Sequence, residues 1–239
     1  MPYNAALKQS SIIKQTMNTF IASCVLPTSK AIVIDAETLQ SSRALVSHGG
    51  LTPANVVVLN DKKDVIAAAV NHGHIHSLVG ISTDSLRQLH DRYDCIYLDF
   101  CGTPERSQGT GWNPELDILL AADKLNKDGI CIATFTKGHC ANAVIRATNM
   151  KPDSLQLVRE IHYRETSPMY SMILAKTNDC NYVQTLQRRY NTIALQVQET
   201  EKKTKSGTLP LPRTSVKKRC KKRPLPYSSR EEYDRLDVA

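Results

Sequence analysis

The sequence predicts an α/β protein: a doubly wound, mainly parallel seven-stranded sheet with a C-terminal antiparallel hairpin and helices on both faces. Near-continuous apolar segments, such as 31–34 and 95–99, are typical of parallel strands buried on both faces. Segments with apolar residues at helical spacing separate these strands. Residues 155–163 and 169–176 alternate apolar and polar side chains, which indicates two antiparallel strands. We expect this closing pair to add an antiparallel edge strand.

The strands and helices are predicted in alternation along the chain. Apolar spacing places a first helix at residues 5–24. Asn113-Pro114 combines an N-cap residue with proline at the first helical position, so a helix is expected from there to residue 126. A tight turn at 127–129 then leads into the fifth strand. The first five strands are expected at 31–34, 55–59, 76–80, 95–99 and 130–135, and the other helices of this region at 37–48, 64–72, 83–92 and 140–149.

The last quarter of the chain differs in character. A C-terminal helix is indicated by apolar residues at alternating spacings of three and four, namely Val183, Leu186, Tyr190, Ile193 and Val197. The following residues are rich in Pro, Ser and basic side chains, and we expect them to be disordered. The chain therefore divides into an N-terminal helix (1–27), an α/β domain (28–180), a C-terminal helix (181–203) and a basic tail (204–239).

The net charge of +8 lies entirely in this last quarter. Residues 185–239 contain 14 Lys and Arg against 6 Asp and Glu, and residues 1–184 are neutral. A dense cluster in the tail attracts phosphate backbones and is similar to a nuclear localisation signal; a simple solvating tail is the alternative. We therefore expect nucleic acid, with RNA favoured, to bind the tail through Lys217, Lys218, Arg219, Lys221, Lys222 and Arg223.

Other features bear on compartment and metal binding. No apolar run of about 18 residues and no secretory signal pattern occurs, which predicts an intracellular protein, nuclear or cytoplasmic, without a membrane partner. Seven cysteines are scattered without the spacing of a zinc site. We expect most of them to be reduced and buried, and we expect no metal site.

Polar side chains follow the first four predicted strands. In a doubly wound sheet, ligands bind outside the carboxyl ends of the strands, so these residues are the candidates for a binding site. Acidic and amide groups there suit the hydroxyls of a ribose and the amine of adenine. The four groups are Asp35-Ala36-Glu37-Thr38, Asn60-Asp61, Ser82-Thr83-Asp84 and Asp99-Phe100-Cys101-Gly102-Thr103.

Phosphate-binding glycine motifs are missing from the sequence. Neither the dinucleotide motif nor the P-loop motif follows the first strand, and the turn after Ile34 contains no glycine. Its carboxylates, Asp35 and Glu37, would repel a phosphate. A nucleoside that carries a sulfonium amino-acid end, without the negative charge of phosphates, is therefore the better match.

Over about residues 28–177 the chain resembles the Rossmann-like class I methyltransferases, which bind S-adenosylmethionine. The resemblance rests on Asp35 ending the first strand, Asn60-Asp61 ending the second, and the stretch from Tyr93-Asp94 through Asp99 to Leu125-x-x-x-Gly129. One departure is the first loop, which is usually rich in glycine in this family. The chain is then either a divergent branch with an altered turn or a protein that has lost cofactor binding.

The resemblance implies a role for each strand end. Asp35, Ala36 and Glu37, with Thr38 beside them, would line the methionine end of the cofactor. Asn60 or Asp61 would face its ribose, and Thr83 or Asp84 its adenine. Asp99 would lie at the methyl-transfer site, so the implied activity is transfer of a methyl group from S-adenosylmethionine.

The loop after Asp99 would touch the methyl acceptor. Asp99 is the candidate to accept a proton or hydrogen bond from an acceptor nitrogen. Phe100 would either stack on a base or be buried under the sheet edge, and Gly102 and Thr103 would line the substrate side. Cys101 is either a nucleophilic thiolate or a small loop residue. Two functions follow: a nucleic-acid methyltransferase, or a catalytically degenerate relative that serves as a nucleic-acid-binding or scaffold module.

Overall fold

The computed structural model of this chain describes residues 2–100, 113–136, 151–164 and 168–205. The predicted helix at 140–149, residues Cys101, Gly102 and Thr103, and the six cations of the tail cluster lie outside the described residues. The strands are β1 (Ala31–Ile34), β2 (Val56–Asn60), β3 (Leu78–Val79), β4 (Tyr93–Asp99), β5 (Leu125–Thr136), β6 (Gln156–Arg164) and β7 (Pro168–Ala175). The helices are α1 (Pro2–Ser23), α2 (Gln40–Ser47), α3 (Lys63–Asn71), α4 (Ser82–Gln88), α5 (Pro114–Lys124) and α6 (Cys180–Lys205).

All seven strands form one sheet in the order β3-β2-β1-β4-β5-β7-β6. Strands β1 to β5 pair in parallel, whereas β7 is antiparallel to both β5 and β6. The expected hairpin is present, but the expectation of an antiparallel edge strand is wrong, because β7 inserts between β5 and β6. Alternating side chains define a hairpin without specifying which of its two strands joins the existing sheet.

Helices cover both faces of the sheet, as predicted. In β1, Ala31 and Val33 point into one apolar layer and Ile32 into the other, because side chains alternate along a strand. The first layer is closed by α1, α2, α3 and α6, and the second by α4 and α5. Parallel strands packed on both faces explain the near-continuous apolar segments of the sequence.

The two terminal helices pack on each other and complete the first layer. The rings of Phe20 and Tyr190 meet edge to face with centroids 5.6 Å apart. The guanidinium Nη1 of Arg189 donates to the carbonyl oxygen of Ser23 at 2.8 Å, where α1 ends. Helix α6 faces the core with the apolar side chains that recur every three or four residues in the sequence.

Several element boundaries differ from the prediction. Helix α2 begins at Gln40, three residues later than expected, and β3 has only two residues. The expected turn at 127–129 is a bulge within β5, where Asp128 has a left-handed φ of 63°. Within the described ranges, no helix combines the length and the apolar character needed to cross a membrane.

Candidate functional site

A cavity of about 710 Å³ lies between α1 and α2, at the carboxyl ends of β1 and β4. This is the sheet edge at which doubly wound proteins bind ligands, and the volume is in the range of small-molecule sites. From the predicted set, Asp35, Ala36, Thr38 and Asp99 line the cavity. Helices α1 and α2 add Lys14, Gln15, Asn18, Thr19, Gln40, Ser41, Arg43, Ala44, Ser47 and His48, and Tyr97 lies beside Asp99 on β4.

The carboxylate of Asp35 caps helix α2. It accepts hydrogen bonds from the backbone nitrogen and the hydroxyl of Ser42, at 2.8 and 2.9 Å, and from the backbone nitrogen of Ala36 at 3.1 Å. The residue is 7% exposed, and this burial raises the pKa of the carboxyl group while the bonds from Ser42 and Ala36 oppose the rise. Asp35 therefore holds the first loop against the start of α2.

Leu39 makes the turn that leads into α2 without a glycine. Its backbone is left-handed, with φ 51° and ψ 40°, and its nitrogen donates to the carbonyl of Ala36 at 2.9 Å. This conformation is unfavourable for a residue with a Cβ atom, but the Leu39 side chain is only 2% exposed in the core. The glycine-free loop is therefore an ordered turn, anchored by one buried side chain.

The rest of the first loop faces outward. Ala36, Glu37 and Thr38 are exposed, and a carboxylate oxygen of Glu37 lies 3.6 Å from the ammonium of Lys62 in an exposed ion pair. Such a pair contributes little to stability. The backbone nitrogen and oxygen of Ala36 are engaged by Asp35 and Leu39, whereas the side chains of all three residues face outward.

Asn60 joins the ends of two neighbouring strands. Its amide nitrogen donates to the carbonyl of Asp35 at 2.7 Å, and its amide oxygen accepts from the backbone nitrogen of Lys62 at 2.8 Å. Both ends of the side chain are occupied by the protein. Of the two residues expected to face a ribose, the exposed Asp61 is therefore the better placed.

Thr83 and Ser82 bind a carboxylate that sequence reasoning missed. The Thr83 hydroxyl donates to Oδ1 of Asp117 at 2.5 Å, and the Ser82 hydroxyl donates to Oδ2 of the same group. Asp117 is fully buried on α5, so this cluster connects α4 to α5. In the sequence, Asp117 falls on the same helical face as the apolar Ile118 and Ala121, and a carboxylate on a buried face needs a partner. That spacing could have identified Asp117 from the sequence. Asp84 is exposed and pairs with Arg87 at 3.6 Å.

The end of β4 separates two side chains that the sequence placed together. Asp99 is half-buried and lines the cavity. Phe100 points the other way: it is 4% exposed, and its ring centroid lies 5.2 Å from that of Phe135 in the second apolar layer. Of the two alternatives for Phe100, the structure places it as a core residue, because the strand's alternation continues through it.

The predicted residues thus divide into two groups. Those of β1 and β4 meet at the cavity, whereas Asn60, Asp61, Thr83 and Asp84 are not among its lining residues. Two cationic side chains on the helices, Lys14 and Arg43, line the same cavity as Asp35 and Asp99. The sequence did not identify these cations because the contact between α1 and α2 is a tertiary one.

No protein-family model and no curated protein matches this sequence. Solved structures do match. TrmN from Thermus thermophilus shares 12% identity over 69% of this chain with a TM-score of 0.53, and NSun6 from Pyrococcus horikoshii, solved with SFG, shares 11% over 69% with a TM-score of 0.51. A protein described as an rRNA-methylase from Clostridium thermocellum shares 9% over 68% of this chain and 94% of its own, with a TM-score of 0.52.

The chain spans about half the length of the TrmN and NSun6 chains, 48% and 52% respectively. At this level of identity the likeness concerns the fold. It agrees with the mixed seven-stranded sheet described above and shows that the chain has a Rossmann-like methyltransferase fold.

Proposed function

We propose that this chain is an S-adenosylmethionine-dependent methyltransferase that acts on nucleic acid, with RNA favoured over DNA. The observation that carries the proposal is the cavity between α1 and α2, because it brings Asp35 and Asp99 to the carboxyl edge of a sheet with a methyltransferase fold. The rRNA-methylase and the NSun6 structure solved with SFG support the activity and the cofactor class. An intracellular location belongs to the same proposal.

The residues at the sheet edge fit a sulfonium nucleoside. Ala36 and Thr38 line the cavity, and the carboxylate of Asp61, which is exposed outside the cavity lining, would accept hydrogen bonds from ribose hydroxyls. Asp35 would act indirectly, since its carboxylate is engaged by Ser42 and Ala36. When bound, S-adenosylmethionine supplies an electrophilic methyl group.

The role proposed for Asp99 is to orient the acceptor. Its carboxylate would accept a hydrogen bond from an acceptor N–H and so hold the attacking atom in line with the methyl group. Half-burial favours this role, because a partly dehydrated carboxylate binds a single donor more strongly than a solvated one does. Lys14 and Arg43, on the walls of the same cavity, match the negative charge of a nucleotide.

Binding and turnover can be tested separately. Calorimetry and thermal shift with S-adenosylmethionine and S-adenosylhomocysteine should show binding, and ligand at a hundred times its Kd should stabilise the fold by about 2.7 kcal/mol. Asp99→Asn should lower methyl transfer to RNA by about 10²-fold or more with cofactor affinity unchanged. Asp123→Asn, at an exposed site whose carboxylate lies 3.9 Å from the Arg92 guanidinium, is the matched control. No binding at millimolar cofactor would refute the proposal.

A second candidate function is a degenerate methyltransferase fold that binds nucleic acid or serves as a scaffold. It is favoured by the side chains of Asp35 and Asn60, which make internal hydrogen bonds where a cofactor contact was expected. This candidate predicts salt-dependent RNA binding without any thermal shift by S-adenosylmethionine or S-adenosylhomocysteine.

A further inference from the structure

The sheet side of the cavity carries hydroxyl groups that the proposed function does not use. Tyr97 precedes Asp99 by two residues on β4, so both side chains leave the same face of the sheet, and both line the cavity. Thr134 of β5 is in register with Asp99, and Ser171 of β7 is in register with Thr134. The hydroxyls of Thr134 and Ser171 lie 2.8 Å apart, and both residues are fully buried. We call Tyr97, Thr134 and Ser171 the hydroxyl row.

The Tyr97 hydroxyl is a donor with a weak acceptor. It donates to Sδ of Met17 on α1 at 3.9 Å, and a thioether is a poor hydrogen-bond acceptor. Burial raises the pKa of the Tyr97 phenol well above its usual value, the nearby carboxylate of Asp99 adds to the rise, and a hydrogen bond with the Thr134 hydroxyl opposes it. The phenol therefore keeps its proton. Its O–H can turn from Met17 to a better acceptor in the cavity while the ring stays in place.

The donors of the hydroxyl row point in one direction. Each hydroxyl has a single hydrogen, and that of Tyr97 is used on Met17, so Thr134 donates to Tyr97. The hydrogen of Thr134 is then used as well, and Ser171 donates to Thr134. Hydrogen bonds in such a chain polarise one another, which makes the last O–H, that of Tyr97, the strongest donor.

A second polar group beside the cavity lacks a partner. Asn18, half-buried on α1, lines the cavity, and its amide oxygen Oδ1 is buried with no hydrogen-bond partner among the residues that the structure describes. Most buried polar atoms in folded proteins are paired, so this oxygen marks a place where a bound molecule can complete the bond. The last torsion of an Asn side chain is soft, which lets the oxygen turn toward a donor in the cavity.

These groups form a pattern of one donor and two acceptors. The donor is the Tyr97 hydroxyl, and the acceptors are the Asp99 carboxylate and the Asn18 amide oxygen. An amino group offers two hydrogens to the acceptors, and an unprotonated ring nitrogen beside it accepts from the donor. Adenine and cytosine present this pair on their Watson–Crick edges. Uracil and hypoxanthine present a carbonyl and an N–H at the same positions, so that donors would face donors.

Resting on the proposed function, we propose that Tyr97 and Asn18 select the acceptor base and that the cavity takes adenine or cytosine by its amino edge. Asp99 and Asn18 accept from the amino group, and Tyr97 donates to the neighbouring ring nitrogen. Thr134 and Ser171 are positioning residues that hold the phenol oxygen and polarise its O–H. If the hydroxyl row had only a structural role, its removal would affect the binding of all bases alike.

Matched bases test the selection. The probes are short fluorescein-labelled oligouridine RNAs whose central nucleotide is adenosine, inosine, cytidine or uridine, so that each amino base has a carbonyl counterpart of the same shape. Fluorescence anisotropy with saturating S-adenosylhomocysteine measures the four Kd values. We expect the natural chain to bind the adenosine or the cytidine strand about tenfold or more tightly than its inosine or uridine counterpart. Equal binding within both pairs would overturn the proposal.

Tyr97→Phe keeps the ring and removes the donor. It should lower the preference for the amino base by about three- to tenfold. A strand with 1-deazaadenosine or 3-deazacytidine, which lacks the ring nitrogen, should bind the natural chain more weakly by the same factor and bind Y97F no more weakly than the parent strand does, because both changes remove one bond. Losses that multiply would overturn the role of Tyr97. The matched control is Tyr170→Phe, which removes a phenol hydroxyl that donates to Glu160 at 3.1 Å, from a ring in the second apolar layer.

The positioning residues are tested by loss and rescue of the same preference. Thr134→Val should lower it, and Thr134→Ser, which keeps the hydroxyl, should restore it. If T134V fails to fold by urea unfolding, Ser171→Ala gives the same comparison, since it removes the first donor of the chain. The control is Thr16→Val on α1, which removes a buried hydroxyl that donates to the carbonyl of Ile12 at 2.8 Å. A preference that stays unchanged without these hydroxyls would overturn the positioning role.

Asn18→Ala tests the second acceptor. It should weaken binding of the amino-base strand and leave that of the carbonyl-base strand unchanged, because only the amino group offers a second hydrogen. Equal weakening of the two strands would overturn the role of Asn18.

Cofactor binding separates this proposal from the one on which it rests. Thermal shift with S-adenosylmethionine and S-adenosylhomocysteine is measured for the natural chain and for every variant. A natural chain that binds cofactor and methylates RNA without a preference between the matched bases would overturn the base selection alone. A natural chain that binds no cofactor would overturn the proposed methyltransferase, and anisotropy without cofactor would then decide the base selection by the same comparison of strands.

Discussion

The left-handed turn at Leu39 predicts an inverted order of stability between alanine and glycine variants. At an ordinary helical position, glycine is about 1 kcal/mol less favourable than alanine. At a positive φ the preference reverses, because a Cβ atom costs about 1–2 kcal/mol in this conformation and glycine has none. Both Leu39→Ala and Leu39→Gly lose the buried side chain, at a cost of about 3 kcal/mol. Allowing for the greater freedom of glycine in the unfolded chain, L39G should be about 1 kcal/mol more stable than L39A.

Leu45 provides the matched control. It is fully buried on the same helix, α2, and is not among the positive-φ residues. There L45G should be about 1 kcal/mol less stable than L45A. Urea unfolding followed by circular dichroism gives all four free energies of unfolding. If glycine were the less stable variant at both positions, the left-handed turn at Leu39 would be refuted.

Three further predictions concern buried polar groups and thiols. Asp35→Asn tests the raised pKa of that carboxyl group. The free energy of unfolding of the native chain, relative to that of D35N, should fall as pH rises from 3.8 through the raised pKa, because the folded state holds the proton longer. If the difference between the urea midpoints of the two proteins stayed flat or rose with pH, the raised pKa would be contradicted. Thr83→Val should lower the free energy of unfolding by about 1–3 kcal/mol, because it removes a hydrogen-bond donor to the buried Asp117. Thermal unfolding measures this loss. A loss below about 0.5 kcal/mol, roughly the scale of neutral surface substitutions, would argue against the bond between Thr83 and Asp117. Iodoacetamide should label the exposed Cys180 well before Cys95 and Cys131, whose burial raises the pKa of both thiols; equal rates in the folded chain would contradict their placement.

Much of the fold could be predicted from local pattern. The apolar segments at β1, β2, β4 and β5 are so continuous that only strands buried on both faces explain them. Asn113 accepts from the backbone nitrogen of Leu116 at 3.1 Å, as its N-cap position predicts. The local pattern could not predict that β7 lies between β5 and β6, because strand order depends on how the chain crosses the sheet and not on the pattern within a strand.

The candidate site, like the fold, could be predicted from the sequence only in part. The rule that ligands bind at the carboxyl ends of strands led to Asp35 and Asp99, which do line one cavity. It also led to Thr83 and Asn60, whose polar atoms are used within the protein. A polar residue at a strand end must find a partner, and the sequence does not show whether that partner is a ligand or a neighbouring loop.

The sequence by itself determined that this is an α/β chain with neutral residues 1–184, a basic last quarter and no phosphate-binding glycine loop. Those properties are local or additive, so they can be read one segment at a time. The tertiary structure alone decided that Leu39 adopts a left-handed turn, that Asp35 caps α2, and that α1 and α2 enclose a cavity. Each of these depends on contacts between segments far apart along the chain, and only packing of the whole core fixes them.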